Sequence, residues 1–439
     1  MSDKSVIPIQ YDEFMDNFKE CIDSFNALYQ LKTNNEEEIR SIYKLIKINL
    51  LESKIYLPQF IIQSISTISI YNNRYMKAYL QIVKQIFDDY HPECIKEVKP
   101  IFNYLFYKEY GIFLEELDQN DFQRYEKNNY TSNIHQENTI YSAIMENNKV
   151  SLVSFTEREG FDKYQRLKNE LYPDSDSSFS LLEICCYYGS VDCFKFLKSQ
   201  FKLSITQKCL RFSFLSGNQE IMNKCLKHHK PDNTCMQNAI IKHNIDFVTF
   251  LSDEYKININ LEYCGMYNNL LAFFVYLDQT RSVDKCFACS TLFNNEKLCT
   301  FLISHGANIN TKDKNGCTAL HFATLYNCTK MLEFLILHGA DINAKNESGC
   351  TILHFAAELD KKDIAEILIS YGADINAKNE HGRTPLHFAA QYNQKEIAEI
   401  LILHDADISA RDKDGRTALS IAYLKKSKEV AQFLNSYTK

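Results

Sequence analysis

Gly316-Cys-Thr-Ala-Leu-His321, Gly349-Cys-Thr-Ile-Leu-His354, Gly382-Arg-Thr-Pro-Leu-His387 and Gly415-Arg-Thr-Ala-Leu-Ser420 follow one another at steps of 33 residues. A second marker keeps the same step: Gly306-Ala-Asn-Ile-Asn310, Gly339-Ala-Asp-Ile-Asn343, Gly372-Ala-Asp-Ile-Asn376 and Asp405-Ala-Asp-Ile-Ser409. A fixed step of this length means that one supersecondary unit is copied and stacked. Thr318, Thr351, Thr384 and Thr417 place a hydroxyl where it caps a helix N-terminus, and Pro385 suits the first helical position, where an N–H has no helical partner. Small residues in Leu386-His-Phe-Ala-Ala390 let a short inner helix approach its neighbour. Ile397, Ile400, Leu401 and Leu403 are expected to give the outer helix its apolar stripe. Gly339 and Gly372 are expected to close outer helices in the left-handed conformation, and Asp405 at the corresponding place is expected to carry local strain.

With its Thr-Pro-Leu-His and Gly-Ala-Asp-x-Asn signatures the C-terminal third resembles the ankyrin repeat. The resemblance implies an all-α fold, a helical solenoid of stacked helix pairs with short β-turn fingers in the C-terminal third. The last four repeats are expected near 313–345, 346–378, 379–411 and 412–439. It also implies binding of a protein partner through the concave side, formed by turn tips and exposed inner-helix edges. The tip positions are Lys314, Asn315, Cys317, Glu347, Ser348, Cys350, Glu380, His381, Arg383, Lys413, Asp414 and Arg416. The inner helices add Leu325, Tyr326, Glu358, Leu359, Gln391 and Tyr392. Exposed Tyr beside Arg and His has the composition of an interface hot spot, so truncating Tyr392 and Arg383 together is expected to weaken partner capture without lowering Tm.

His321, His354 and His387 recur on one line and raise the question of a metal. They lie one repeat apart, and packed helices are separated by roughly 10 Å, too far for shared ligands at about 2 Å. Their expected work is structural, in polar bonds to caps and inter-repeat turns. Cys286-x-x-Cys289, flanked by Cys264 and Cys299, has one pair at ligand spacing but no second pair, and is expected to pack inward from one helix face. Asp412-Lys-Asp414-Gly415 lacks the further oxygen ligands of a calcium loop and reads as the turn of the last repeat. No metal or cofactor is expected.

Upstream, a shorter tile recurs: Tyr188-Gly189, Ser216-Gly217, His243-Asn244, Tyr267-Asn268 and Phe293-Asn294, each followed some residues later by apolar positions. Units shorter than 33 have room for a helix pair but little for a finger, so a helical stack continuous with the array is expected. Tyr71-Asn72-Asn73 and Glu146-Asn147-Asn148 hint at still earlier pairs. Residues 36–53 read as one amphipathic helix, with Ile39, Ile42, Tyr43, Ile46 and Leu50 on a face. Residues 172–178, Tyr-Pro-Asp-Ser-Asp-Ser-Ser, read as a hinge or surface loop. Three segments result: an irregular helical domain at 1–150, degenerate short repeats at 151–280 and the array at 281–439. Through Phe155-Thr-Glu-Arg-Glu-Gly-Phe161, Asp246-Phe-Val-Thr-Phe-Leu251 and Asn260-Leu-Glu-Tyr-Cys-Gly265 the sequence is similar to a large paralogous set of trichomonad ankyrin proteins. In that set a helical domain of unknown function precedes a variable number of repeats.

Composition narrows the partner. The formal charge is −7, and from Asp313 onward 15 Lys and Arg face 17 Asp and Glu, so no basic field exists to neutralise a phosphate backbone and no nucleic acid is expected. Met1-Ser2-Asp3-Lys4 lacks the order of a signal peptide, and the apolar run Leu270-Leu-Ala-Phe-Phe-Val-Tyr-Leu277 is far short of a membrane span. A cytoplasmic, monomeric protein without membrane insertion is expected. Its 15 dispersed cysteines read as reduced core residues. No phosphate-binding loop, nucleophile elbow, metalloprotease or kinase signature is present, so the expected function is a non-enzymatic interaction scaffold. The rivals are a cytoskeletal or membrane-skeleton tether, and an enzyme whose N-terminal 280 residues carry an unrecognised site.

Overall fold

The computed structural model describes residues 9–93, 95–173 and 177–437. The opening Met1-Ser2-Asp3-Lys4, Cys94 and residues 174–176 of the expected loop lie outside these ranges. The chain divides into two compact units, one spanning Gln10–Tyr276 and the other holding Leu277–Lys439. The regular structure of the described residues is helical apart from one hairpin of two-residue strands, β1 (Arg166–Leu167) against β2 (Phe179–Ser180).

Leu277–Lys439 holds five helix pairs in sequence. They are α17 (Val283–Ser290) with α18 (Glu296–Ser304), α19 (Ala319–Leu325) with α20 (Thr329–Leu337), α21 (Ile352–Glu358) with α22 (Lys362–Ser370), α23 (Pro385–Tyr392) with α24 (Lys395–Leu403), and α25 (Ala418–Lys425) with α26 (Lys428–Tyr437). Each inner helix packs on the next inner helix, and from α20 onward each outer helix packs on the next outer one. Ala323, Ala356, Ala389 and Ala422 are fully buried, and their single methyl groups are what allow the inner helices to approach closely. The expected stripe of α24 needs one correction. Ile397, Ala398 and Leu401 are buried, but Leu403 is 79% exposed, because six residues past Ile397 the helix has turned about 240° and points elsewhere. Gly339 and Gly372 are left-handed as expected, at φ +88° and +84°, and Asp405 takes the same region at +66°.

Gln10–Tyr276 opens with α1 (Tyr11–Tyr29), α2 (Glu36–Ile46), α3 (Pro58–Ser69), α4 (Met76–Tyr90), α5 (Pro100–Tyr110) and α6 (Gln119–Lys127). It continues as pairs: α7 (Ile140–Met145) with α8 (Lys149–Thr156), α9 (Leu181–Tyr188) with α10 (Val191–Phe201), α11 (Gln207–Ser216) with α12 (Gln219–Leu226), α13 (Asn233–Ile241) with α14 (Ile245–Tyr255), and α15 (Leu261–Met266) with α16 (Leu270–Thr280). Helices α7, α9, α11, α13 and α15 stack in that order. The expected tile marks the turn inside each pair. Asn147, Gly189, Gly217, His243 and Asn268 all have positive φ, between +53° and +74°, as Asn294, Asn327, Asp360, Asn393 and Lys426 do in the other unit.

The amphipathic helix expected over 36–53 is α2 continued by a π-helical turn, Lys47–Glu52, and it buries Ile39, Tyr43, Ile46 and Leu50. Tyr172 is a correction: although it opens a polar run, its ring is 1% exposed and its hydroxyl lies 2.7 Å from both His135 Nε2 and the Tyr188 hydroxyl. A buried phenol is held there because a partner meets its hydroxyl. Asn73 Nδ2 donates to Leu171 O at 2.7 Å, Tyr187 donates to Ile70 O at 2.8 Å, and Gln30 Nε2 donates to His243 O at 2.8 Å. The leading helices are thus bonded to the turn ends of the later pairs.

Of the 14 described cysteines 11 are buried, and none is in a disulfide. Cys286 is buried, whereas Cys289 is half-buried, so only part of the inward-facing pair reaches the core.

Candidate functional site

The linkers that carry the fingers, residues 305–318, 338–351, 371–384 and 404–417, are fourteen residues long. Their shape starts from one side chain per finger. Asp313 Oδ1 accepts from the N–H groups of Asn315 and Cys317 at 2.9 and 2.7 Å, and Asn346, Asn379 and Asp412 do the same in their own fingers. This local turn folds the tip before any neighbour is present. Neighbouring fingers then join through the backbone: Glu347 N donates to Asn315 O at 3.0 Å, Glu380 N to Ser348 O at 3.0 Å and Lys413 N to His381 O at 2.9 Å. The join leaves no space for a side chain at the finger glycine. A Cβ at Gly316 would lie 2.6 Å from Glu347 N, and one at Gly349 2.8 Å from Glu380 N.

The recurring histidines sit under the fingers, at most 1% exposed. His354 Nδ1 accepts from Thr351 N–H at 3.1 Å, and its Nε2–H donates across the repeat to Arg383 O at 2.9 Å. His387 repeats this with Thr384 N–H and Arg416 O, at 3.1 and 3.1 Å, and His321 with Thr318 N–H and Cys350 O. Both ring nitrogens are used by the neutral form, and burial pushes His321 and His354 down to about 4 and His387 in the same direction. These bonds are the capping and inter-repeat work read from the sequence. Among the described residues no group of three or more His, Cys, Asp or Glu is placed to hold a metal.

At the surface the structure exposes Lys314, Asn315, Glu347, Ser348, Glu380, His381, Lys413 and Asp414 along the finger tips. Leu325 and Tyr392 are each 42% exposed at the inner-helix ends, with Tyr326, Glu358, Leu359 and Gln391 half-buried between them. Burial, together with the nearby Glu358 carboxylate of the preceding repeat, raises the Tyr392 hydroxyl. Cys317 is half-buried, and Cys350, a tip position by motif, is buried at 7% because the next finger covers it.

Arg383 requires a second correction. Its Nε lies 3.4 Å from Asp412 Oδ2 and its Nη1 donates to Gln391 Oε1 at 3.0 Å. Arg416 donates to the same Asp412 oxygen from Nε and Nη2, both at 3.0 Å, and also pairs with Asp414. The Asp412 side chain is 1% exposed, and its carboxyl is held down at about 2, where the Arg416 N–H and guanidinium outweigh burial. Removing Arg383 therefore loosens a buried ion pair, so the double truncation with Tyr392 is expected to lower Tm after all. Sequence reading also missed Tyr423 and Leu424, 58% and 63% exposed on α25. The step of 33 from Gln391 was the signal for Leu424, while Ala390, one step before Tyr423, is buried and gave none.

A ladder of fingers locked to stacked helix pairs defines a tandem helical-repeat protein whose freely varying residues lie along one edge. Comparison with known families makes that class specific. Residues 286–379 match the model described as Ankyrin repeats (3 copies), and residues 367–422 match Ankyrin repeats (many copies). Residues 201–276 match a Domain of unknown function (DUF3447). The C-terminal part consists of ankyrin repeats, an architecture whose general role is protein interaction, and a domain of unknown function precedes it. No curated protein matches the chain. Among the described residues no helix is long and apolar enough to cross a membrane.

Proposed function

We propose that this protein is a non-enzymatic, cytoplasmic, monomeric scaffold, a member of the trichomonad paralogous set, that binds a protein partner through the concave face of its ankyrin repeats. In this reading residues 281–439 capture the partner, while 1–150 and 151–280 form the segments that accompany the array. The observation that carries it is the row of exposed and half-exposed apolar and aromatic side chains, Leu325, Tyr326, Leu359 and Tyr392, flanked by exposed finger-tip side chains of both charges. Large apolar side chains that packing does not require, rimmed by polar groups, are what an interface centre is made of. Acidic and basic tips in near balance favour a protein over a polyanion.

The test compares capture by the wild-type chain with Tyr392→Ala/Leu359→Ala and with Leu337→Ala/Leu403→Ala, the latter pair being exposed at the ends of outer helices. Each bait is checked for an unchanged Tm, and the captured proteins are compared by quantitative mass spectrometry. Loss of the same specific partner from the first variant alone supports the reading. Equal capture by both variants overturns it.

A further inference from the structure

A pocket of about 250 Å³ lies in Gln10–Tyr276 where the α3–α4 connection meets the turn ends of the α9–α10 and α11–α12 pairs. Lys32, Arg74 and Lys242 all line it, and none of its lining residues is acidic. Asn72, Ser216 and Asn218 add polar groups to the lining, beside tyrosines and Leu215. Three cations around a small cavity repel one another. Burial, with Lys32 and Arg74 nearby, depresses the Lys242 ammonium to about 8.

Cations at helix C-termini have an ordinary role, which is to meet the last carbonyls. Arg74 does this: it donates to Tyr188 O at 3.2 Å and to Met145 O, and its guanidinium carbon lies 5.2 Å from the centre of the Tyr188 ring. Its Nε is buried without a partner. Lys32 and Lys242 have no ion-pair or hydrogen-bond partner among the described residues; Lys242 lies along Gly217, with its Cε 3.9 Å from where a Cβ there would stand. The four helix ends gathered here, of α7, α9, α11 and α13, contribute up to roughly half a negative charge each, which leaves about one of the three full positive charges uncompensated. A flat, solvated surface would disperse such a charge, whereas this one surrounds a cavity large enough for a compact oxyanion.

We infer that this pocket binds a phosphate-class oxyanion, either free phosphate or the phosphoryl group of a small ester, through Lys32, Arg74 and Lys242. The side-chain amide of Asn218 borders the same space and, with one N–H directed to Gly189 O at 3.4 Å, keeps the other as a neutral donor, whereas both N–H groups of Asn72 are taken by Leu31 O and the Tyr79 hydroxyl. Lys242 belongs to the DUF3447 stretch and Arg74 to the leading helices, so the ligand would pin one to the other within the same compact unit.

The test is isothermal titration of the full-length chain with inorganic phosphate, pyrophosphate and glycerol 3-phosphate at constant ionic strength, alongside Tm measured at rising ligand concentration. Saturable one-site binding with a rising Tm is expected. Lys242→Met should weaken it at least tenfold and Lys32→Met severalfold, while Lys425→Met/Lys426→Met, at exposed positions on the last repeat, should leave it unchanged. Lys32 is exposed in a connection, so its variant folds independently of the result, and circular dichroism checks the Lys242 variant. Equal affinity for phosphate and its ester assigns the free ion; at least tenfold tighter binding of the ester assigns the phosphoryl compound. No saturable binding of any of the three up to 10 mM, or binding that Lys32→Met and Lys242→Met leave untouched, overturns the inference.

Discussion

The helix pairs of Gln10–Tyr276 and the ankyrin repeats solve one packing problem with different connections. In the first, the links from outer to next inner helix after α10, α12 and α14 are five or six residues, 202–206, 227–232 and 256–260, the link after α8 alone being longer; in the second they are fourteen. The short links hold a cap and nothing else. Their inner helices are capped by the side chains of Thr206, Asp232 and Asn260, and their outer helices by Asn148, Asn218 and Asn244. The outer helices after Cys328, Lys361 and Gln394 have no side-chain cap at all. What the ankyrin repeats lack locally they recover between repeats, through finger backbone bonds and the histidine bridges. The comparison teaches that a finger is a device for coupling neighbours, and that its exposed tip is a by-product available for recognition.

The largest effect expected on breaking that coupling is at a finger glycine. Gly349→Ala forces a Cβ against the Glu380 backbone and adds left-handed strain at φ +72°, whereas Gly415→Ala, at φ +74° with nothing within 4 Å, adds strain alone. Denaturant unfolding should show a loss of about 3 kcal/mol or more for the first and about 1 kcal/mol for the second. Similar losses for the two would mean that the fingers do not couple repeats.

Acid should come next. The buried His321 and His354 stay neutral down to about 4 in the folded chain, while the unfolded chain protonates them near the ordinary imidazole value of 6.5. Between those values the unfolded state binds more protons, so stability is full above pH 6.5 and falls as pH drops toward 4, by up to about 1.4 kcal/mol per pH unit for each histidine. His354→Gln should reduce that slope by about one proton in a urea series at pH 5 to 7. An unchanged slope would place the titration elsewhere, His135 and His243 of Gln10–Tyr276 being the other buried candidates, each pushed down to about 4 by burial.

At Asp412 the two arginines should differ. Arg416→Ala removes two bonds at 3.0 Å and is expected to cost about 2–3 kcal/mol, against about 1 kcal/mol for Arg383→Ala, whose bond is 3.4 Å. Tm of the two variants, with Asp412→Asn as reference, checks the order. The smallest effect sharpens the contrast in capping: Asn218→Ala should cost about 1 kcal/mol, and Gln394→Ala close to none.

The array was readable because its constraints are local. Thr384, Pro385 and Gly382 announce a cap, a first turn and a tight bend by residue type alone, and their step of 33 supplies the register. The upstream pairs were readable only as tiles, since any residue tolerant of positive φ serves there: Gly189, His243 and Asn268 do the same work without a shared letter. The surface candidates were placed by motif, which predicts position but not occupation. Motif placement could not foresee that Cys350 is covered by the next finger, that Arg383 is committed to Asp412, or that Leu403 faces away from its stripe.

The sequence by itself determined the helix pairs, their caps and the period at which they recur, because turn chemistry and apolar spacing act over a few residues. Tertiary structure alone decided which polar side chains are used up inside the protein and which are left over. Asp412 gathers two arginines from separate fingers, and Lys32, Arg74 and Lys242 meet from positions up to 210 residues apart. Charges so distant in the chain acquire their partners, or lack them, only when packing fixes the distances between them.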